Sequence, residues 1–408
     1  MLFALLLLSP YFSLLYILFD VYRIKRAKPH HCFAVIFILA IIGVYWFPWG
    51  DSQSHFAMYY SDIVNKYYSE YLLASTYWFY DLVIAKIADY TGNYTWGYFF
   101  WLLIPLWLFY FAIKRNLVHK EMYIQLFIYF ILFLGIREYL DINRSTSAYL
   151  LFVSCILFYK KNKLLSILCL IMSLLLHDSV RIFLLLIPIG YLINNFSNRT
   201  INILYVITAI FSFVIINYTF PLLADERNLS IYFGEGWEDN KGVDSGFMYI
   251  LGMCNLLIFI IQFLLIQSNR HCIKKSLYIL FLSSSFIVVC GFAMWVLRER
   301  FLLFSNIIAA SIILINWDKF RGMLRVPKWQ ILQALNLIFL ARIALNMMLL
   351  YSAHIIHNSA TKDNMAEFRI VSHSFYMPTL FLFDIDSFGF SDEKYLQLYD
   401  RVNNSIEL

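Results

Sequence analysis

What most constrains this chain is the recurrence of apolar stretches long enough, or nearly long enough, to cross a bilayer, from the first residues to about Ala353. A spanning helix needs about 20 mostly apolar residues. The runs cover approximately 2–19, 32–49, 96–113, 122–136, 145–159, 164–176, 180–193, 200–221, 246–267, 276–297, 301–316 and 329–351. The expected fold is therefore an all-α polytopic membrane protein of about twelve transmembrane helices. Composition agrees: of 408 residues 61% are hydrophobic and 14% charged, and the mean hydropathy of +0.68 lies above that of soluble domains. The shortest runs must extend into flanking polar residues, thin the bilayer or tilt little. The first run has no basic segment before it and no small-residue cleavage site ahead of Arg23, Lys25, Arg26 and Lys28, so it reads as a span rather than a signal peptide.

The stretch from Tyr71 to Tyr90 is apolar and aromatic but carries Asp81, Lys86 and Asp89. Charges near a bilayer centre cost a few kcal/mol each, so it is expected to lie in the interface. Twelve spans with both termini outside then place more than half of the 32 lysines and arginines in six short inner turns, as the positive-inside rule requires. The expected organisation is a bundle over 1–351, including an interfacial segment at 50–95 and an outer loop at 222–245, followed by an outer tail at 352–408.

Several function classes fall away. No inner loop is large enough for a nucleotide-binding domain, and neither G-x-x-x-x-G-K-[ST] nor G-x-G-x-x-G occurs, so no nucleotide cofactor is expected. The formal charge of +6 is spread over loops, which gives no nucleic-acid footprint. The six cysteines have no C-x-x-C spacing, so neither a disulfide framework nor a metal site is expected. His30 and His31, in a basic inner loop, read as solvated, and the Tyr/Trp-rich stretch from Tyr67 to Trp101 reads as an aromatic belt, with a platform that stacks on sugar rings as the alternative.

The informative anomaly is arginine at span ends on the outer side. If this junction is helical, Arg137, Asp141 and Arg144 share one face at i, i+4 and i+7. His177-Asp178-Ser179 with Arg181, and Arg298-Glu299-Arg300, each fill a very short connection. Arginine keeps its charge, offers a planar fork and is weakly hydrated, which suits a diphosphate at membrane depth. The natural ligand is a lipid-linked diphosphate whose prenyl chain lies among the helices and whose sugars face the outer water. The plainer reading is that these arginines form structural ion pairs or snorkel to lipid phosphates. His177 suits a base, a phosphate donor or a helix cap. Asp51, fixed at a span end by Pro48 and Gly50, suits a general base or an N-cap.

These pieces, in this order, resemble the Wzy-type polysaccharide polymerases, and in particular their EpsG-like branch. The matching elements are Gly50-Asp51 after the second span, Arg144-Ser145-Thr146-Ser147-Ala148 opening a span, the inner turn Lys160-Lys161-Asn162-Lys163, His177-Asp178-Ser179 one span later, and Arg298 to Phe301. Ser145 stands where the family usually has glutamine, and His55 where a tyrosine is common. The resemblance implies a bundle similar to the GT-C glycosyltransferases, in a bacterial inner membrane with its site toward the periplasm. It also implies transfer of a growing glycan from undecaprenyl diphosphate to another lipid-linked repeat unit. In that role Arg144, Arg298, Arg300 and, more weakly, Arg137 bind the diphosphate, Asp51 or His177 is the base, and a flippase and a chain-length regulator work alongside. The rival readings are an O-antigen ligase with the same donor, a lipid-linked oligosaccharide flippase, and a membrane O-acyltransferase. A flippase would line a mid-span cavity with cations, whereas Arg342 is the one basic residue in mid-span.

Overall fold

The computed structural model of the chain describes residues 2–8, 10–24, 27–45, 78–91, 96–117, 123–134, 143–215, 218, 245–292, 295–317 and 319–320. Among them every regular element is helical and no strand occurs. The chain divides into two compact units, Met1–Asp178 with Val326–Leu408, and Ser179–Arg325.

In the first unit the helices are α1 (Leu2–Leu8), α2 (Pro10–Ile24), α3 (Pro29–Tyr45), α4 (Trp78–Thr91), α5 (Trp96–Asn116), α6 (Tyr123–Leu134), α7 (Asn143–Phe158) and α8 (Lys163–Leu176). The first apolar run is thus two helices, with Pro10 at the first position of the second, where its missing N–H costs nothing. α7 and α8 form an antiparallel hairpin. Asn162 caps α8 by accepting the Leu165 N–H at 3.1 Å, and the Ser166 hydroxyl donates to the Cys155 carbonyl at 2.8 Å. α5 runs parallel to α7: the Ser147 hydroxyl donates to the Trp101 carbonyl at 2.6 Å, and Asn116 Nδ2 donates to the Leu157 carbonyl at 2.9 Å.

α4 lies antiparallel on α5, with Tyr80 stacked on Trp101 and Gly97 against Ile84, and it also packs on α8. With the α5–α7 and α7–α8 contacts, α4, α5, α7 and α8 close a ring of four helices. α3 flanks this ring through Phe33 on Tyr110 and Phe37 on Phe99.

The second unit holds α9 (Ser179–Asn194), α10 (Asn198–Ile210), α11 (Ser245–Ser268), a 3₁₀ turn at Arg270–Cys272, α12 (Lys275–Cys290) and α13 (Trp295–Ile315). α12 is central, packing on α9, α10 and α13. Its polar residues are used internally: the Tyr205 hydroxyl donates to the Leu282 carbonyl at 2.8 Å, and the Ser284 hydroxyl to Ser305 Oγ at 3.3 Å. Small residues let helices approach closely where lipid supplies no hydrophobic drive. At Gly190 a Cβ would collide with the Ser283 hydroxyl and the Ile279 carbonyl.

The surface is built for lipid. α8 exposes Leu164, Ile167, Leu168 and Ile171, α10 exposes Ile203, Val206, Ile207 and Ile210, and α11 exposes Leu257, Ile260, Ile261 and Leu264. Each set follows the i, i+3, i+4, i+7 spacing of one helix face. Such continuous apolar stripes are penalised in water and favoured against acyl chains, so this is a membrane protein. α5 is long and apolar enough to cross a membrane alone, and shorter apolar segments occur at Arg144–Phe158, Leu256–Ser268, Lys275–Cys290 and Phe301–Ile315. The expected span at 329–351, the outer loop at 222–244 and the tail at 352–408 lie outside the described residues.

Three elements differ from the sequence-based expectation. The run 276–297 breaks after Cys290, where Gly291 and Phe292 form a turn, so Arg298, Glu299 and Arg300 lie in the first turns of α13 and not between spans. The run 200–221 is interrupted at Phe211, where α10 ends. His31 is buried and not solvated: its Nδ1 accepts the Lys28 N–H at 3.2 Å, which leaves Nε2–H to donate to Asp20 at 3.1 Å and close the α2–α3 turn.

Candidate functional site

Charge is sorted along the helix axes in each unit. In the first, Arg23, Lys28, Lys114, Arg115, Lys160, Lys161 and Lys163 are all exposed at one end. Contacts tie these turns together: Phe33, near the start of α3, packs on Tyr110 and Phe111 near the end of α5, and the Arg115 guanidinium lies 5.8 Å from the Phe158 ring. Arg144 and His177 occupy the opposite end of the α7–α8 hairpin, about 20 Å away at 1.5 Å per residue.

The second unit repeats the pattern. The Arg270 guanidinium donates to the Phe196 carbonyl at 3.0 Å, and Lys319 Nζ donates to the Cys272 carbonyl at 3.2 Å, which collects Arg199, Arg270, Lys274, Lys275 and Lys319 at one end. Arg181, on the first turn of α9, and Arg298, on the first turn of α13, stand at the other, joined through Phe183, whose ring lies 3.8 Å from that of Phe304 and 6.0 Å from that of Phe301.

Arg144 is the central residue. It opens α7 with 8% of its surface exposed, and its Nε and Nη1 atoms are buried. A buried guanidinium is costly unless met by anionic or hydrogen-bonding groups, which sets Arg144 apart from the exposed basic residues at the other end of the unit. His177 caps α8 in an extended conformation, its backbone N–H bonded to the Ser173 carbonyl at 3.2 Å. Its half-buried imidazole lies 6.1 Å, ring to ring, from Tyr149, one turn along α7 from Arg144. The α7–α8 hairpin therefore brings Arg144 and His177 to the same end of one unit.

Two further residues join them. Trp101 on α5 is 3% exposed, with its ring held by Tyr80 (5.6 Å, interplanar 23°) and Phe79 (5.9 Å, edge-on). Asp81, next to Tyr80 on α4, is 7% exposed. From the sequence, Asp81 belongs to the interfacial stretch and Trp101 to an aromatic belt or sugar-stacking platform, and neither is singled out as a site residue. The available signal was Pro105 four residues after Trp101: it leaves the Trp101 carbonyl without its helical donor, and that carbonyl is the one the motif residue Ser147 bonds.

Arg298 is half-buried in the second unit, its guanidinium 5.7 Å from the ring of Phe292. Arg300 lies on α13, and its side chain is outside the described residues, as are Asp51 and Arg137. Among the described residues no group of His, Cys, Asp and Glu is arranged to hold a metal ion.

The sequence model of the EpsG family matches residues 29–366, a span that contains Arg144, His177, Trp101, Asp81 and Arg298. Comparison with curated proteins and with solved structures gives no match.

Proposed function

The chain belongs to the EpsG family, and from that premise we propose that it is a polysaccharide polymerase of the bacterial inner membrane. In this reading it acts on O-antigen, capsular or exopolysaccharide repeat units, moving a growing glycan from undecaprenyl diphosphate onto another lipid-linked repeat unit at the periplasmic face. The observation that carries it is the buried Arg144 at the end of its unit opposite the basic turns. By the positive-inside rule those turns are cytoplasmic, so Arg144 and His177 face the outer side, where a lipid-linked donor presents its diphosphate. A helical bundle similar to the GT-C enzymes, with about twelve spans and both termini outside, accompanies this reading.

The chemistry needs charge stabilisation more than anything else. An acceptor hydroxyl oxygen forms a bond to the donor's anomeric carbon, and the bond from that carbon to the diphosphate oxygen breaks. Its electron pair leaves with undecaprenyl diphosphate, and the hydroxyl proton goes to a base. Fixed cations aimed at the leaving oxygens lower the barrier because the charge develops there. We assign that task to Arg144, and the sequence pattern adds Arg298, Arg300 and, more weakly, Arg137 as candidate diphosphate-binding cations. Of the two candidate bases, His177 has in its favour the end it shares with Arg144, and Asp51 is the alternative. A flippase supplying the repeat units and a chain-length regulator are the proposed partners.

The test is a gel of surface polysaccharide from a strain lacking this gene, complemented with wild type or with Arg144→Ala. Deletion should collapse the ladder of chain lengths to a single repeat unit on its acceptor, and Arg144→Ala at normal expression should fail to restore it. Loss of every repeat unit from the acceptor with long lipid-linked chains accumulating would identify a ligase instead, and an unchanged ladder would refute the proposal.

A further inference from the structure

Trp101 carries an unmet hydrogen-bonding demand. Its Nε1–H is buried and, among the described residues, has no partner, although the indole is otherwise held on two sides by Tyr80 and Phe79. Buried donors are nearly always satisfied in folded proteins, and those that are not call for an explanation such as a ligand. The position narrows what that ligand is. Ser147, which bonds the Trp101 carbonyl at 2.6 Å, lies one turn along α7 from Arg144. Because α5 and α7 run parallel and helical side chains lean toward the helix N-terminus, the indole and the guanidinium lean toward the same end. Trp101 also sits five residues inside α5, about 7 Å below its start. At that depth the prenyl diphosphate of a lipid-linked donor is the nearer hydrogen-bond acceptor, while its sugars lie further out.

We propose that Trp101 is a binding residue for the donor, its indole N–H donating to a diphosphate oxygen of the polyprenyl carrier beside Arg144. This rests on the polymerase reading and adds a neutral donor to it. Stacked Tyr80 keeps the indole plane fixed whether or not ligand is present, so the donor is oriented before the diphosphate arrives. Arg144 supplies charge, and Trp101 supplies direction. The pair would discriminate an elongated diphosphate from a single phosphate more sharply than a cation alone.

The experiment measures binding of undecaprenyl diphosphate, free and carrying one glycan repeat unit, to the full chain in lipid nanodiscs, together with thermal unfolding of the ligand-free protein. The proteins are wild type, Trp101→Phe, Arg144→Ala, and a form in which Trp101 is replaced by 3-benzothienylalanine, where sulfur stands in for the N–H at almost unchanged shape. Trp101→Phe and the sulfur isostere should each weaken binding about tenfold while the unfolding temperature holds or rises, because an unsatisfied buried donor has been removed. If Trp101→Phe fails to fold, the isostere decides alone. Binding within twofold of wild type in the isostere overturns the proposal, as does a loss seen only when the carrier bears its glycan, which would assign the N–H to a sugar. If Arg144→Ala also binds as wild type, the diphosphate reading of the site falls as well. Weakening by Arg144→Ala with none by the isostere removes Trp101 alone.

Discussion

Pro105 has no N–H to give the carbonyl of Trp101, and Ser147 meets that carbonyl from another helix at 2.6 Å. The third residue after Arg144 thus fastens α7 to α5. Ser147→Ala should destabilise the protein by about 1–3 kcal/mol, the cost of a buried carbonyl left without a donor. Pro105→Ala restores a helical donor to the same carbonyl, so Ser147→Ala made in that background should cost at least about 1 kcal/mol less. Thermal unfolding of the four proteins in one detergent measures the coupling, and strictly additive effects would show that the serine does not serve this carbonyl. At this scale sequence reading singled out Arg144 and His177, because a cation or imidazole at the edge of an apolar run stands out, and both lie at one end of the α7–α8 hairpin. The burial of Trp101 and Asp81 was not legible, because it depends on what α4 and α5 press against, and nothing in an aromatic stretch distinguishes a lipid-facing ring from one enclosed by helices.

Helix boundaries were legible where polar residues edge the apolar runs. The run 164–176 is α8, Lys163–Leu176, opened by the Asn162 cap, and the run 180–193 is α9, Ser179–Asn194. They were not legible where a turn is made of apolar or small residues, as at Gly291 and Phe292, since hydropathy does not change across such a break. Packing between helices was also hidden, because it depends on which small residues meet. Gly190 is the clearest instance, pressed against α12 at Ile279 and Ser283. Gly190→Ala should force α9 away from α12 and lower stability by about 1–3 kcal/mol, the usual cost of overfilling a packed contact. An unfolding temperature equal to that of wild type would mean that the two helices separate without penalty.

For the whole molecule, the asymmetry of charge counted along the sequence reappears as geometry. Each unit, taken by itself, carries its lysine-rich turns at one end and the arginines Arg144, or Arg181 and Arg298, at the other. That agreement was foreseeable, because insertion acts on short loops one at a time. The division at Asp178 was not, since it is a matter of long-range packing. The apolar stripes exposed on α8, α10 and α11 agree with a membrane protein. Whether the chain itself lengthens lipid-linked glycans, as proposed, is decided with purified protein in vesicles, supplied with undecaprenyl-diphosphate-linked repeat units and no nucleotide sugar or ATP. The expected products form a ladder growing by whole repeat units, with one undecaprenyl diphosphate released per step and both lost in Arg144→Ala. Repeat units that remain single, or merely cross the bilayer unchanged, would refute the polymerase proposal.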